Sequence, residues 1–349
     1  MKKILIIQNE IMHYRKPIYN ELAKYYDITI LHSGNKSINN EDKYKEIIVS
    51  YKKIGPFSFQ EKVLKFANNN EYDAIIAMFD IRWIMNILLS FFHNSKIKFI
   101  WWGPWLTNKK YIDKFKIFLA NRKHNIIFYC KEHMEEFIKY GVKEDNLFIA
   151  NNTFDVGERV KSFENKIKNK ILFVGSLDSR KQNDVLIKSF SKIINLIDEN
   201  IILTIIGDGR ERDNLKDLVH KLDISNRVSF EGKITDVKIL KEYYKESIVS
   251  VSFGQAGLAV LQSIGYGVPF ITKLNSISGG EKTNIINGYN GFFCEDSKES
   301  LSELLLKLCN DIEYTRSLGK NAFNHYTNFC TVQIMVKGII DSIEKENDL

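Results

Sequence analysis

Arg180 and Lys181 stand side by side in FVGSLDSRKQNDVLIKSF (Phe173–Phe190), in the loop between an apolar run and a helical pattern. Two adjacent cations held at such a loop can neutralise a diphosphate without a metal ion; the plainer alternative is a solvated loop. Further on, FGQAGLAVLQSIGYGVPFIT (Phe253–Thr272) reads as a strand end, a glycine-rich turn, a short apolar helix and another strand, with no charged side chain. A helix starting near Gly257 would present free N–H groups and the positive end of its dipole, which bind phosphate unaided. The turn itself comprises Gly254, Gln255, Ala256, Gly257 and Leu258.

Other chemistries are excluded by missing patterns. QNEIMHYR, after the first apolar run, has no glycine for a pyrophosphate to approach, so a dinucleotide dehydrogenase is not expected. There is no GxxxxGK[ST] and no Asp-x-Asp pair to hold a divalent metal against a nucleotide. Cys130, Cys294, Cys309 and Cys330 form no CxxC pair, which fits a reduced compartment with neither disulfides nor zinc.

The elements that would position these residues are legible. KILIIQ, DITILHS, YDAIIAMF, KIKFIWW and NIIFYC read as strands, separated by helical patterns KPIYNELAKYY, SFQEKVLKFANN, RWIMNILLSFF, DKFKIFLANRK and KEHMEEFIKYG. Unalternating Ile, Val and Phe runs suit strands covered on both faces, hence a parallel sheet between helices. After DVGERVKSFENKIKN (Asp155–Asn169) the pattern restarts with KILFVGS, IILTIIGD, NRVSFEG, IVSVSFG and VPFIT. The chain therefore reads as a doubly wound α/β unit written twice. Expected limits are 1–155 and 156–328, with a last helix over 329–349 that crosses back to the first domain. Ligands of such sheets bind beyond the carboxyl ends of the strands. That rule selects His13, Tyr14, Arg15, Trp102, Gly103 and Trp105 in the first domain, and Gly175, Ser176, Gly207, Asp208, Gly232 and Lys233 beside the two motifs in the second; Trp101 reads as core.

At 349 residues, with 44% hydrophobic and 27% charged content, the chain suits two soluble domains of roughly 150 residues each. The formal charge of +7 is spread along the chain, which points to a solvated surface and to no nucleic-acid partner. MKKILIIQNE is read as a buried strand rather than a signal peptide, and Ile81–Lys96 falls short of the ~20 apolar residues of a spanning helix. NKKYIDKFKIFLANRKHN (Asn108–Asn125) sets Lys109, Lys110, Lys114, Lys116, Arg122 and Lys123 among aromatic and aliphatic residues. It reads either as a helix lying on an anionic membrane surface or as one whose aromatic face packs on its own sheet. A cytoplasmic protein, peripheral on the inner face of the plasma membrane, is the expectation.

FVGSLDSRKQNDVLIKSF, LTIIGDGRERDNLKDLVHKLDISNRVSFEG, GQAGLAVLQSIGYGVPFIT and GYNGFF resemble, in order and spacing, the C-terminal domain of retaining nucleotide-sugar glycosyltransferases of the GT-B fold, glycosyltransferase family 4 (glycosyl transferases group 1). IIQNEIMHYRKPIYNELAKYYDITIL and WWGPW resemble the more variable acceptor domain of the same enzymes. The resemblance implies two Rossmann-like domains facing a cleft. It also implies transfer of a sugar from a nucleoside diphosphate sugar with retention, Lys181 falling on the lysine that holds the diphosphate. Three departures accompany it. Ser176 stands where the family usually has arginine, a role Arg180 could share; Gly254 and Gln262 stand where two glutamates would reach the donor sugar and the ribose; and Pro104 with Trp105 occupy a segment that often carries histidine. Gln262 retains an amide for a ribose hydroxyl, and Glu281 is the nearest downstream acid for the sugar, if not simply a solvated glutamate.

The reading is thus a two-domain α/β GT-B glycosyltransferase of hexosyl type that needs no metal or cofactor. It takes a nucleotide sugar, and a glycan or lipid-linked acceptor in bacterial lipopolysaccharide or capsule assembly. His13 as a general base is the weaker part, because retention demands no obvious base. A sugar-nucleotide epimerase of the same fold and an inactive homologue that binds a partner are the alternatives.

Overall fold

The computed structural model describes residues 1–69 and 71–345. The chain divides into two compact units, residues 1–152 together with the chain from Val332 onward, and Thr153–Thr331.

The first unit contains β1 (Lys3–Ile7), β2 (Asp27–His32), β3 (Lys45–Ile48), β4 (Tyr51–Ile54), β5 (Phe57–Gln60), β6 (Ala74–Met78), β7 (Lys98–Trp102), β8 (Asn125–Phe128) and β9 (Leu147–Ile149). Seven of these form a sheet in the order β3-β2-β1-β6-β7-β8-β9, every pair parallel. Its helices are α1 (Lys16–Leu22), α2 (Val63–Ala67), α3 (Ile84–Phe92), α4 (Lys110–Ala120) and α5 (Lys131–Lys139). Pro17 sits in the first turn of α1, where its missing N–H costs nothing. The unalternating runs are explained by the packing. Ile4 and Ile6 join Ile28, Ile30 and Ile76 on one face, whereas Leu5 and Ile7 join Leu31, Ile75 and Ala77 on the other.

In the second unit β10 (Lys170–Val174), β11 (Ile202–Ile206), β12 (Val228–Gly232), β13 (Ser247–Val251), β14 (Phe270–Lys273) and β15 (Gly291–Cys294) form a parallel sheet in the order β12-β11-β10-β13-β14-β15. The helices are α6 (Asn183–Ile193), α7 (Arg212–Lys221), α8 (Val237–Lys245), α9 (Ala259–Gly265), α10 (Lys298–Asn310) and α11 (Ile312–Phe329). One face is covered by Leu186, Phe190, Leu215, Leu301 and Leu305, and the other by Leu240, Tyr244, Leu261, Tyr266 and Tyr326.

The last helix, α12 (Val332–Glu344), returns to the first sheet. Val332, Met335, Val336, Ile339 and Ile343 recur at helical spacing and pack with Ile4, Ile28, Ile100 and Ile127. Gly338 permits the approach, because a Cβ there would stand 2.1 Å from the Ile149 carbonyl oxygen.

The helix expected over SFQEKVLKFANN is corrected. Phe57–Gln60 pairs antiparallel with Tyr51–Ile54 as a hairpin, and only Val63–Ala67 is helical. Gly55, at φ 57°, supplies the turn, and the covered face of Phe57–Gln60 carries Ser58 and Gln60, whose Nε2 donates to the Gln8 carbonyl and the Ser33 hydroxyl.

In each sheet the strand order reverses beside its first strand, between β1 and β6 and between β10 and β13. Those switch points are where doubly wound sheets leave room for a ligand.

Candidate functional site

The loops after β10 and β13 meet at the switch point of the second sheet. The Gly254 N–H donates to the Lys181 carbonyl at 3.1 Å, joining the two loops through their backbones. A Cβ at Gly254 would stand 2.2 Å from the Arg180 carbonyl oxygen, so only glycine allows this approach. Lys181 closes a one-turn 3-10 helix (Ser179–Lys181) and is only 9% exposed, its Nζ 3.4 Å from the Gln255 carbonyl oxygen, which also accepts from the Ser252 hydroxyl at 2.7 Å. The charge absent from the glycine turn is therefore delivered to it by the neighbouring strand's loop. Burial lowers the Lys181 pKa below the ordinary lysine value, an effect that Asp178 and Glu281 oppose by their charge and Arg180 reinforces.

A third loop completes the arrangement. Ile277 donates to the Gly254 carbonyl at 3.0 Å and accepts from the Ala256 N–H at 2.8 Å, stitching the segment that leads to Glu281 against the turn. Glu281 is buried, its Oε2 accepting from the Gly279 N–H at 2.9 Å and the Ser278 hydroxyl at 3.2 Å. Beyond the turn lies α9, with Leu258 as its N-cap, and the space a Gly257 Cβ would occupy has no protein atom within 4 Å. Leu258 packs beside the second unit's core.

The remaining expected residues are placed as follows. Arg180 is exposed and turns to its own loop, bonding Asp178 at 3.2 Å; it lines a cavity of about 590 Å³ with Ser179, Gly209, Arg210 and Glu211. The Ser176 hydroxyl donates to the same Asp178 at 2.7 Å. Gly175, Gly207 and Gly232 step across the strand ends, Gly175 N–H donating to Ile206 and Gly207 N–H to Gly232. Asp208 accepts from the Gly209 N–H at 2.8 Å, and Lys233 is exposed. Gln262 is only 4% exposed; its Oε1 accepts from the Tyr244 hydroxyl at 3.3 Å, and its Nε2 is buried without a partner.

In the first unit, His13, Tyr14 and Arg15 form a short 3-10 turn ahead of α1. Arg15 is turned inward. Its guanidinium donates to the Tyr129 hydroxyl at 2.9 Å and lies over the Trp102 and Tyr129 rings, 5.0 Å from each centroid. Trp102, expected among the ligand-facing residues, is only 2% exposed and belongs to the core with Trp101. Gly103 makes room for the Tyr129 ring, His13 is exposed, and Trp105 is partly exposed.

Sequence reasoning missed a pocket of about 320 Å³ beyond the carboxyl ends of β6 and β7, lined by Phe79, Asp80, Arg82, Trp105, Ile112 and Lys116 among others. The segment FDIR follows β6 directly, so the rule that marks strand ends would have found it. Lys116, expected on the solvent face of its helix, is buried there, donating to the Trp105 carbonyl at 2.6 Å, and burial lowers its pKa. Among the described residues no group of three or more His, Cys, Asp or Glu could hold a metal, and no helix is long and apolar enough to cross a membrane.

Residues 157–325 match the model of the family Glycosyl transferases group 1. An uncharacterized glycosyltransferase of Haemophilus influenzae is 28% identical over 322 residues, covering 87% of this chain and 88% of that protein. The GalNAc-alpha-(1->4)-GalNAc-alpha-(1->3)-diNAcBac-PP-undecaprenol alpha-1,4-N-acetyl-D-galactosaminyltransferase of Campylobacter jejuni is 29% identical over 172 residues, 48% of this chain and 45% of its own length. The crystal structure of Anabaena Alr3699/HepE in complex with UDP has the same fold, with a TM-score of 0.76 at 17% identity over 98% of this chain and 99% of that one. Two parallel-sheet domains of the GT-B α/β fold, a family match across the second and a relative along most of the chain together support a glycosyltransferase of the GT-B type.

Proposed function

We propose that the protein is a retaining, metal-independent hexosyltransferase of glycosyltransferase family 4. It would move a sugar from a nucleoside diphosphate sugar to a glycan or lipid-linked acceptor in bacterial surface polysaccharide assembly. The observation that carries the reading is the buried Lys181 ammonium held against the glycine turn, beside open space at Gly257. As the glycosidic bond breaks, negative charge gathers on the departing diphosphate. A fixed cation with the free N–H groups at the start of α9 stabilises that charge, and no reorganisation is needed at the moment of reaction. The orphaned Gln262 Nε2 lies in the helix that follows, and a ribose oxygen accepting from it would satisfy a donor the fold leaves unmet. Arg180, bonded to Asp178, is assigned a supporting charge at the loop. Glu281, near enough to Lys181 to affect its charge, is the acid on the donor side.

HepE was crystallised with UDP and the Campylobacter relative is named for an undecaprenol-linked substrate; both favour a uridine nucleotide and a lipid-linked acceptor here. His13, Tyr14 and Trp105 are proposed to face the acceptor, and a cytoplasmic setting at the inner membrane face fits an acceptor of that kind. The test is calorimetry with a panel of nucleoside diphosphates and nucleotide sugars, with and without EDTA. Binding of one donor, undiminished by EDTA, is expected; binding that requires magnesium or manganese would refute the metal-free reading. Incubation with donor alone separates the epimerase alternative, which would turn the donor over, from a transferase, which gives at most slow hydrolysis.

A further inference from the structure

Gln182, the residue after Lys181, has a backbone rarely adopted by a residue with a side chain. Its φ of 54° and ψ of 45° are left-handed, and it is one of four non-glycine residues with positive φ among those described. Retaining a side chain there costs strain, and strain held beside a binding loop warrants a search for what the side chain does.

The side chain lies over Gly254. A Cβ built on Gly254 would come within 2.9 Å of both Cγ and Oε1 of Gln182, so the carboxamide occupies the volume into which any side chain at 254 would grow. Its Oε1 is buried and has no hydrogen-bond partner. A side chain at 254 is excluded as the loops stand, because the Arg180 carbonyl oxygen is 2.2 Å from its Cβ position. The turn thus lacks a polar side chain of its own at 254, and the adjacent loop lends it one with an unmet acceptor. Left unmet in the free protein, this acceptor would be satisfied by a ligand hydroxyl over the turn once rotation about the broad terminal amide torsion exposes it.

We infer that Gln182 reads the sugar of the donor, its carboxamide bonding a sugar hydroxyl while Lys181 and the turn hold the diphosphate. This rests on the donor-site reading above. The amide is uncharged and offers both an acceptor and a donor, which suits a hydroxyl, and its unmet atom is the acceptor, which a diphosphate oxygen cannot satisfy.

The experiment is calorimetric titration of the wild-type protein and of Gln182→Ala and Gln182→Gly with UDP, GDP, UDP-glucose, UDP-N-acetylglucosamine and GDP-mannose, with thermal melting alongside. Both variants should bind the preferred nucleotide sugar about 3- to 10-fold more weakly, the worth of one hydrogen bond, while the matching nucleoside diphosphate binds within about twofold of wild type. Gln182→Gly should also melt higher than Gln182→Ala, because it releases the backbone strain. Equal losses for the diphosphate and the sugar nucleotide would overturn the inference, since Gln182 would then merely shape the Lys181 loop. So would full retention of sugar-nucleotide affinity by a more stable Gln182→Gly. Failure of the wild-type protein to bind any of these nucleotides would instead remove the donor-site reading, and this inference with it.

Discussion

Lys181 is the residue on which the site turns, because it combines a positive charge with burial. Replacing it with alanine should cost roughly 2–4 kcal/mol of transition-state stabilisation, the worth of one preorganised group. A pH signature should accompany that loss. Burial lowers the Lys181 pKa in the free protein, whereas a bound diphosphate favours the charged form. Binding therefore takes up a proton once pH exceeds the free-protein value. Affinity should hold steady below that pH and fall as pH rises through it, a dependence Lys181→Ala should lose; calorimetry in buffers of different ionisation enthalpy reads the proton directly. The two glycines of the turn should separate fold from function. The Cβ of Gly257→Val meets no protein atom within 4 Å, so the variant should melt normally yet abolish nucleotide binding by filling the ligand's space. Gly254→Ala meets the Arg180 carbonyl at 2.2 Å and should destabilise the second unit by about 1–3 kcal/mol, the usual cost of overpacking. Normal binding by Gly257→Val would show that the turn is only packing.

Helix α4 reverses the arrangement its sequence suggests. Of the two expectations for it, packing of its aromatic face on the sheet does not hold: Lys116, Leu119 and Ala120 point inward, while Tyr111 is 84% exposed and Phe115 and Phe118 also face outward. Phe118 stacks with Phe91 at 6.4 Å, and Phe92, 68% exposed, continues the surface onto α3. Arg122 lies 3.9 Å over the Phe91 ring. Aromatic rings exposed together and rimmed by Lys109, Lys110, Lys114 and Lys123 suit an anionic bilayer, where rings enter the headgroup layer and each cation near the surface contributes about 1 kcal/mol. Flotation with phosphatidylglycerol vesicles should show binding at low salt that weakens at high salt, and Phe92→Ser with Phe118→Ser should reduce it at both. If the protein stays in solution at low salt, this face has no affinity for anionic lipid.

Across the whole molecule, the first unit depends on a helix that follows the second unit in sequence. Gly338→Val would press side-chain atoms into the Ile149 carbonyl and lift α12 from the first sheet. It should lower the melting temperature by at least the equivalent of 1–3 kcal/mol, roughly the cost of overpacking a close contact, as calorimetric melting would record. The sequence by itself marked β1, β2, β6, β7 and β8 of the first parallel sheet and β10 to β14 of the second, since a strand covered on two faces needs continuous apolar runs, whereas β3, β9 and β15 went unmarked. It also marked the loops after β10 and β13, because strand ends are local features. It did not reveal the β4–β5 hairpin, whose residues share a window with helix-forming neighbours. Nor did it predict that Lys116 and Trp102 would be buried, since which way a side chain faces depends on what packs above it. Only the tertiary structure decided that the charge-poor turn receives its cation from the next strand over and its carboxamide from Gln182. Those groups meet because β10 and β13 are neighbours in the sheet, an adjacency set by strand order and not by distance along the chain.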